Sequence, residues 1–201
     1  MNTKINTKRK RVKFASDNVT GACPEVLEAV IKANDGIVPP YGNDEISGVL
    51  QEKFSKIFEK DVIVYPTASG TASNALALSA ISPSFGNIYC HKFSHINVDE
   101  CGAPEFYTGG AKLVPLNGED GKITTEELKN SIGGFGIVHH TQPSIVSITQ
   151  ATETGEVYTL EQIKNISEIT HKHNLKMHMD GARFANALVS LDVSPAEMTW
   201  K

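Results

Sequence analysis

Cysteine is scarce, with Cys23, Cys90 and Cys101 the only three in 201 residues. An odd number without the paired spacing of metal ligands excludes a disulfide framework and a cysteine-held metal. It fits a reducing, cytoplasmic setting. Long apolar runs are missing too. No stretch approaches the ~20 residues that cross a bilayer, and the N-terminus has no apolar h-region, so neither a membrane span nor a secretory leader is expected. There is no internal repeat and no low-complexity segment. Acidic residues are absent from residues 1–13, which hold six basic side chains and leave −10 for the rest of a chain whose net charge is −4. That tail reads as a basic, disordered extension. No aromatics interleave its charges, and the acidic body argues against a nucleic-acid partner. What is present is a 40% hydrophobic content in a chain long enough for one large domain.

The stretch Lys176-Met177-His178-Met179-Asp180-Gly181-Ala182-Arg183 reads as a buried strand ending in a carboxylate, then a glycine turn and an arginine. A buried Asp at a strand end is costly unless a positive group meets it. Arg183 is one candidate, and a ligand with a protonated ring nitrogen is another. In open α/β sheets, ligands collect at the carboxyl ends of the strands, so a cofactor site is expected here.

Earlier segments fit the same edge. Pro24 opens a helix to about residue 34. Residues 37–43 form a loop, and Asp44 caps a helix with Ile46, Val49, Leu50, Phe54, Ile57 and Phe58 on its apolar face. Residues 61–66 read as a buried parallel strand, followed by the small polar turn 67–74 and a helical run. Strand, turn, helix is a phosphate cradle in which backbone N–H groups and the helix dipole favour an anion, with Ser69 and Thr71 adding hydroxyls. An ordinary Ser/Thr cap accounts for the same composition. His95 follows the strand 87–90, where an imidazole can stack on a flat ring or relay protons, although a lone histidine is more often structural. Asp99, four residues later, would face His95 on a helix and orient its ring. Residues 111–116 and 144–149 read as further strands, 124–130 and 160–173 as helices, and 150–156 as a third polar loop after a strand. Alternating short strands and helices predict an α/β fold, a mostly parallel sheet flanked by helices.

Ser16-Asp17-Asn18, Tyr41-Gly42-Asn43-Asp44, Ser69-Gly70-Thr71, Ser94-His95, residues 99–106, residues 148–153 and His178-Met179-Asp180-Gly181-Ala182-Arg183-Phe184 together resemble the low-specificity L-threonine aldolases. These belong to the β-eliminating lyase group of pyridoxal-phosphate enzymes with the aspartate-aminotransferase-type fold (fold type I). The resemblance runs from about Phe14 to Lys201, with the motifs in order. It implies that Asp180 pairs with the pyridinium nitrogen of pyridoxal 5'-phosphate, that Ser69, Gly70 and Thr71 hold the phosphate, and that His95 stacks on the ring. Arg183 would grip the substrate carboxylate, with Ser16 and Asn18 nearby. His139 and Asp99 would lie beside the substrate, and Tyr41 would reach a neighbouring subunit's site in a homodimer or homotetramer. No metal is implied. The reaction would be cleavage of threonine or allo-threonine to glycine and acetaldehyde.

The family's Schiff-base lysine lies beyond the point that matches Trp200-Lys201, after a further strand, and Lys201 is not that residue. The expected organisation is thus a tail (1–13) and an N-terminal segment with most of the cofactor-binding large domain (14–201). The last strands, the lysine and the small C-terminal domain would be missing. An aldolase fragment is one reading; a non-catalytic remnant or partner subunit of a complete lyase is the other.

Overall fold

The computed structural model describes residues 19–201, which fall into two units, one ending at Gly48 and the other running from Val49 to Lys201. The basic tail, Ser16 and Asn18 lie outside the described residues.

In the first unit, helix α1 (Pro24–Ala33) starts at a proline, as the sequence predicts, and its face of Val26, Leu27, Val30 and Ile31 is exposed. Tyr41 and Gly42 take positive φ, 64° and 76°, in the turn that follows. Asp44 caps α2 (Glu45–Phe58): its carboxylate accepts from the Ser47 N–H at 2.9 Å and the Ser47 hydroxyl at 2.6 Å.

The second unit carries the sheet. Its elements in chain order are α3 (Gly70–Ile81), β1 (Gly86–His91), α4 (His95–Val98), α5 (Ala103–Tyr107), β2 (Lys112–Leu116), α6 (Thr125–Ser131) and β3 (Gln142–Thr149). Then come α7 (Leu160–Lys172), β4 (Lys176–Asp180), α8 (Phe184–Leu191) and α9 (Pro195–Thr199). All pairings are parallel, in the order β2-β1-β3-β4. The two-residue period of the strands splits their side chains between two cores. Ile88, Cys90 and Ile145 point to one face and pack with Leu78 of α3 and Leu113 of β2. Tyr89, Val146 and Ile148 point to the other and pack with Leu128 of α6 and with Ile163, Ile166 and Ile169 of α7. Helices on both faces explain why β1 and β3 are apolar almost throughout.

One expected strand is not observed. Residues 61–66 run without a ladder partner, and the Val62 and Val64 N–H groups donate instead to Ser55 Oγ at 3.2 Å and Gln51 Oε1 at 3.0 Å on α2. Apolar β-branched residues specify an extended backbone, but a strand exists only where a neighbouring strand supplies its hydrogen bonds. Here the side chains of a preceding helix supply them. Helix α3 begins at Gly70, inside the turn expected over residues 67–74. At most other elements the boundaries move by only a residue or two, and α7, for instance, is capped by His173, with Asn174 in the left-handed conformation beyond it.

The loop after β3 is tied down by a buried tyrosine. Tyr158 Oη accepts from the Ile123 N–H at 2.6 Å, and its backbone exchanges two 2.9 Å hydrogen bonds with the Gln150 side chain. Tyr158→Phe leaves the Ile123 N–H unsatisfied. It is expected to cost about 2 kcal/mol, read as a lowered urea midpoint at unchanged m-value.

Candidate active site

The register of the sheet brings three chain segments to one edge. Thr149 pairs with Asp180, so β3 and β4 end level, and β1 ends beside them. The segments that leave these ends carry His95, Glu153 and Asp180. Helix α3 packs against α5 and against β4.

Asp180 is 8% exposed. Its Oδ1 accepts from the Ala182 N–H at 3.0 Å and its Oδ2 from Asn74 Nδ2 at 2.9 Å. Asn74, buried on α3, also donates to Glu100 Oε1 at 2.7 Å. That same Glu100 oxygen lies 2.8 Å from His95 Nδ1. The His95 backbone N–H donates to Glu153 Oε1 at 2.7 Å, which also accepts from the Thr149 hydroxyl at 2.9 Å. Asp180, Asn74, Glu100 and His95 thus form one chain of hydrogen bonds. The hydrogen bond to Glu100 raises the pKa of His95, burial opposes it, and the charges of Glu100, Asp180 and Asp99 add to the rise.

Beside Asp180 opens a cavity of about 370 Å³ lined by Gly70, Ser73, Asn74, Gly181 and Ala182. A second hollow of about 310 Å³, lined by Ser69, Thr71, Ala72, Ala103 and Tyr107, also meets the start of α3. At that N-terminus Ser69 Oγ accepts from the Ala72 N–H at 3.2 Å. The Gly70 and Thr71 N–H groups are left as first-turn donors without an intrahelical acceptor. At Gly70 an added Cβ would meet nothing within 4 Å, so the turn opens onto free space. Anion donors at one end and a buried carboxylate at the other suit a ligand with a phosphate and a protonated ring nitrogen.

The remaining expected residues are placed as follows. Arg183 is exposed at the N-cap of α8, three residues after Asp180. Asp99 is exposed and does not hold His95; Glu100 does. Helix α4 is a single turn that ends at Val98 with Asp99 as its exposed cap, and the buried carboxylate against the ring is that of the next residue, Glu100. His139 is not brought to this edge. It precedes β3, in a hollow with His140, Asn87 and Lys112 at the amino ends of the strands. The eight residues of β3, at ~3.3 Å each, put it roughly 25 Å from the carboxyl edge. Tyr41 is exposed in the first unit. A hollow of about 750 Å³ between Asn117, Lys122 and α7 contains none of the expected residues. Among the described residues no group of histidine, cysteine and carboxylate side chains could hold a metal ion, and no helix is long and apolar enough to cross a membrane.

Sequence reasoning missed Asn74 and Glu100. The one signal was Asn74 itself, an amide in the otherwise small and apolar helix Gly70–Ile81, where a buried polar group requires partners.

His178, one turn of the strand pleat before Asp180, is buried with Nδ1 2.9 Å from Ser147 Oγ. Burial lowers its pKa from 6.5 to about 4, against the pull of Asp180. It folds neutral, whereas the unfolded chain takes up a proton below pH 6.5. Stability is therefore complete above that value and falls as pH drops toward 4. Between pH 7.5 and pH 5 about 2 kcal/mol is expected to disappear, and the pH dependence of the urea midpoint should shrink by that amount in His178→Gln.

The β-eliminating lyase family model matches residues 13–201. A low-specificity L-threonine aldolase of Pseudomonas sp. is 43% identical over 188 residues, 94% of this chain and 54% of that protein. Its counterpart in Pseudomonas aeruginosa is 42% identical over the same shares. A threonine aldolase structure from Leishmania major superposes with a TM-score of 0.83 at 26% identity, covering 90% of this chain and 53% of that one. The chain spans about half the length of the curated relatives it matches. The α/β fold expected from the sequence, of the aspartate-aminotransferase type found in fold type I enzymes, is the one observed. Its matched length, its sheet and its strand-end carboxylate lead to one assignment: the chain belongs to the β-eliminating lyase family, whose members are pyridoxal-phosphate enzymes.

Proposed function

We propose that the protein takes part in the cleavage of L-threonine or L-allo-threonine to glycine and acetaldehyde, with pyridoxal phosphate held at the carboxyl edge of the sheet. In this reading residues 14–201 supply the N-terminal segment and most of the cofactor-binding domain. The observation that carries the proposal is Asp180, a buried strand-end carboxylate whose two oxygens are steadied by Asn74 and the Ala182 N–H. Such a group is retained where a cation must be met in a site of low polarity. The names of the relatives, low-specificity L-threonine aldolases, supply the substrate class.

Asp180 would hold the ring nitrogen in its protonated form. Ser69, Gly70 and Thr71 would bind the phosphate through the first-turn N–H groups and hydroxyls of α3. Pyridoxal phosphate bound there supplies the electron sink for the pair released at Cα. Arg183 would bind the substrate carboxylate through its planar fork. His95 would stand against the ring and would take the β-hydroxyl proton, its raised proton affinity favouring the transfer. As the Cα–Cβ bond breaks, the β-oxygen becomes the carbonyl of acetaldehyde. A returned proton at Cα completes glycine, so no other reactant is consumed.

The test is acetaldehyde release from each threonine isomer with added pyridoxal phosphate. It should be run on the 201-residue chain and on the chain extended by any in-frame sequence downstream of codon 201. Release by either product supports the proposal, and release by neither overturns it.

A further inference from the structure

Four side chains at the carboxyl edge are joined through a single oxygen, Glu100 Oε1, which receives both His95 Nδ1 and Asn74 Nδ2. The Glu100 side chain is completely buried, and its second oxygen, Oε2, has no hydrogen-bond partner. Burying a carboxylate in this way costs several kcal/mol unless nearby groups compensate. Both compensating donors arrive on one oxygen, and only one of them, the imidazole, can carry positive charge.

We infer that Glu100 and Asn74 are positioning residues that lock His95 in its Nδ1–H tautomer and couple its proton affinity to Asp180, leaving His95 Nε2 as the proton acceptor of the site. The inference rests on the reading of this edge as a lyase site only for what that acceptor does; the tautomer and the coupling follow from the hydrogen bonds. An ionised carboxylate accepts and does not donate. The hydrogen between His95 and Glu100 therefore sits on Nδ1, and in the neutral ring the lone pair falls on Nε2. Asn74 has two amide hydrogens, one for Glu100 and one for Asp180. Flipping that amide would turn its carbonyl oxygen toward two carboxylates, so its orientation is set by both. Asn74 thereby keeps two buried acids apart while tying them into one frame. A change at Asp180 is felt at His95 through that frame and through charge.

Every titratable group named around His95 is acidic. Glu100 touches the ring, Asp180 lies across Asn74, Asp99 follows on its own segment, and Glu153 takes its backbone N–H. Glu100, Asp180 and Asp99 favour the imidazolium, while the half-exposed position of the ring keeps it able to exchange protons. A base placed in this way is charged by the substrate proton and then discharged to solvent or back to carbon.

The experiment is ¹H–¹⁵N NMR of the full 201-residue chain labelled at histidine, without cofactor and across pH, with His95 assigned by its loss in His95→Gln. The wild-type spectrum is expected to show the Nδ1–H tautomer at alkaline pH; the Nε2–H tautomer would overturn the inference whether or not any variant folds. Glu100→Gln keeps an acceptor oxygen but removes the charge, so the tautomer should persist while the protonation midpoint falls. Asp180→Asn should lower that midpoint as well. A midpoint unmoved in Glu100→Gln would also overturn the inference. These readouts need neither cofactor nor turnover. If these signatures are present and neither the 201-residue chain nor its downstream extension releases acetaldehyde, the lyase reading alone is refuted.

Discussion

Replacing Asp180 by Asn is expected to lower the rate of the proposed threonine cleavage on the order of a thousandfold, ~4 kcal/mol of transition-state stabilisation. Two effects act in the same direction. The variant loses the negative charge that would keep the ring nitrogen protonated. It also sets an amide group against Asn74 Nδ2, whose hydrogens are directed to Asp180 and to Glu100. If the new side chain keeps its oxygen toward the Ala182 N–H, its NH2 faces the NH2 of Asn74. Asn74 cannot relieve that contact by flipping without turning its own oxygen toward Glu100. Cleavage rates at saturating cofactor, taken together with the urea midpoint, check the prediction. A variant that folds normally and keeps more than about a tenth of the activity, a loss under ~1.4 kcal/mol, would contradict the role given to Asp180.

Ile145→Ala is expected to remove about 4 kcal/mol of stability, a large share of the ~5–15 kcal/mol that holds a domain of this kind together. Ile145 is fully buried on β3, between β1 and β4, and packs with Leu78, Ile88, Cys90 and Leu113. Its neighbours belong to strands and to helix α3, so the space left by three missing carbons cannot close by a loop moving in. Ile145→Val, which removes one carbon, should cost about 1 kcal/mol. Urea unfolding of the two variants beside the wild type gives both numbers. An alanine variant within about 1.5 kcal/mol of wild type would show that this core relaxes around the gap. Because β3 runs directly into the 150–153 loop and pairs with Asp180, the same loss should loosen the candidate site.

The unequal legibility of the chain has physical causes. Strand β4 was readable to the residue because its apolar run ends at a charged group followed by glycine, a pattern with one structural solution. Helix α6 was readable from its cap, since Thr124 accepts from the Glu127 N–H, and α7 from its amphipathic run over residues 160–173. Residues 61–66 misled for the opposite reason: Val62-Ile63-Val64 has the composition of a buried strand, but pairing depends on what lies alongside. Asp99 misled because α4 stops at Val98 and the acid that is buried against His95 is the next residue, Glu100.

By itself the sequence determined the α/β class, the order of the elements, the two apolar faces of the sheet and the run of strand-end loops bearing Ser69, His95 and Asp180. These follow from local periodicity, capping and turn chemistry, which neighbouring residues encode. Only the tertiary structure decided that Asn74, 106 positions from Asp180, bridges it to Glu100, that Glu100 rather than Asp99 holds His95, and that His139 stands at the other end of β3. Those choices depend on strand register and on the docking of α3 across the sheet, where hydrogen bonds a few ångströms long join residues far apart in the chain.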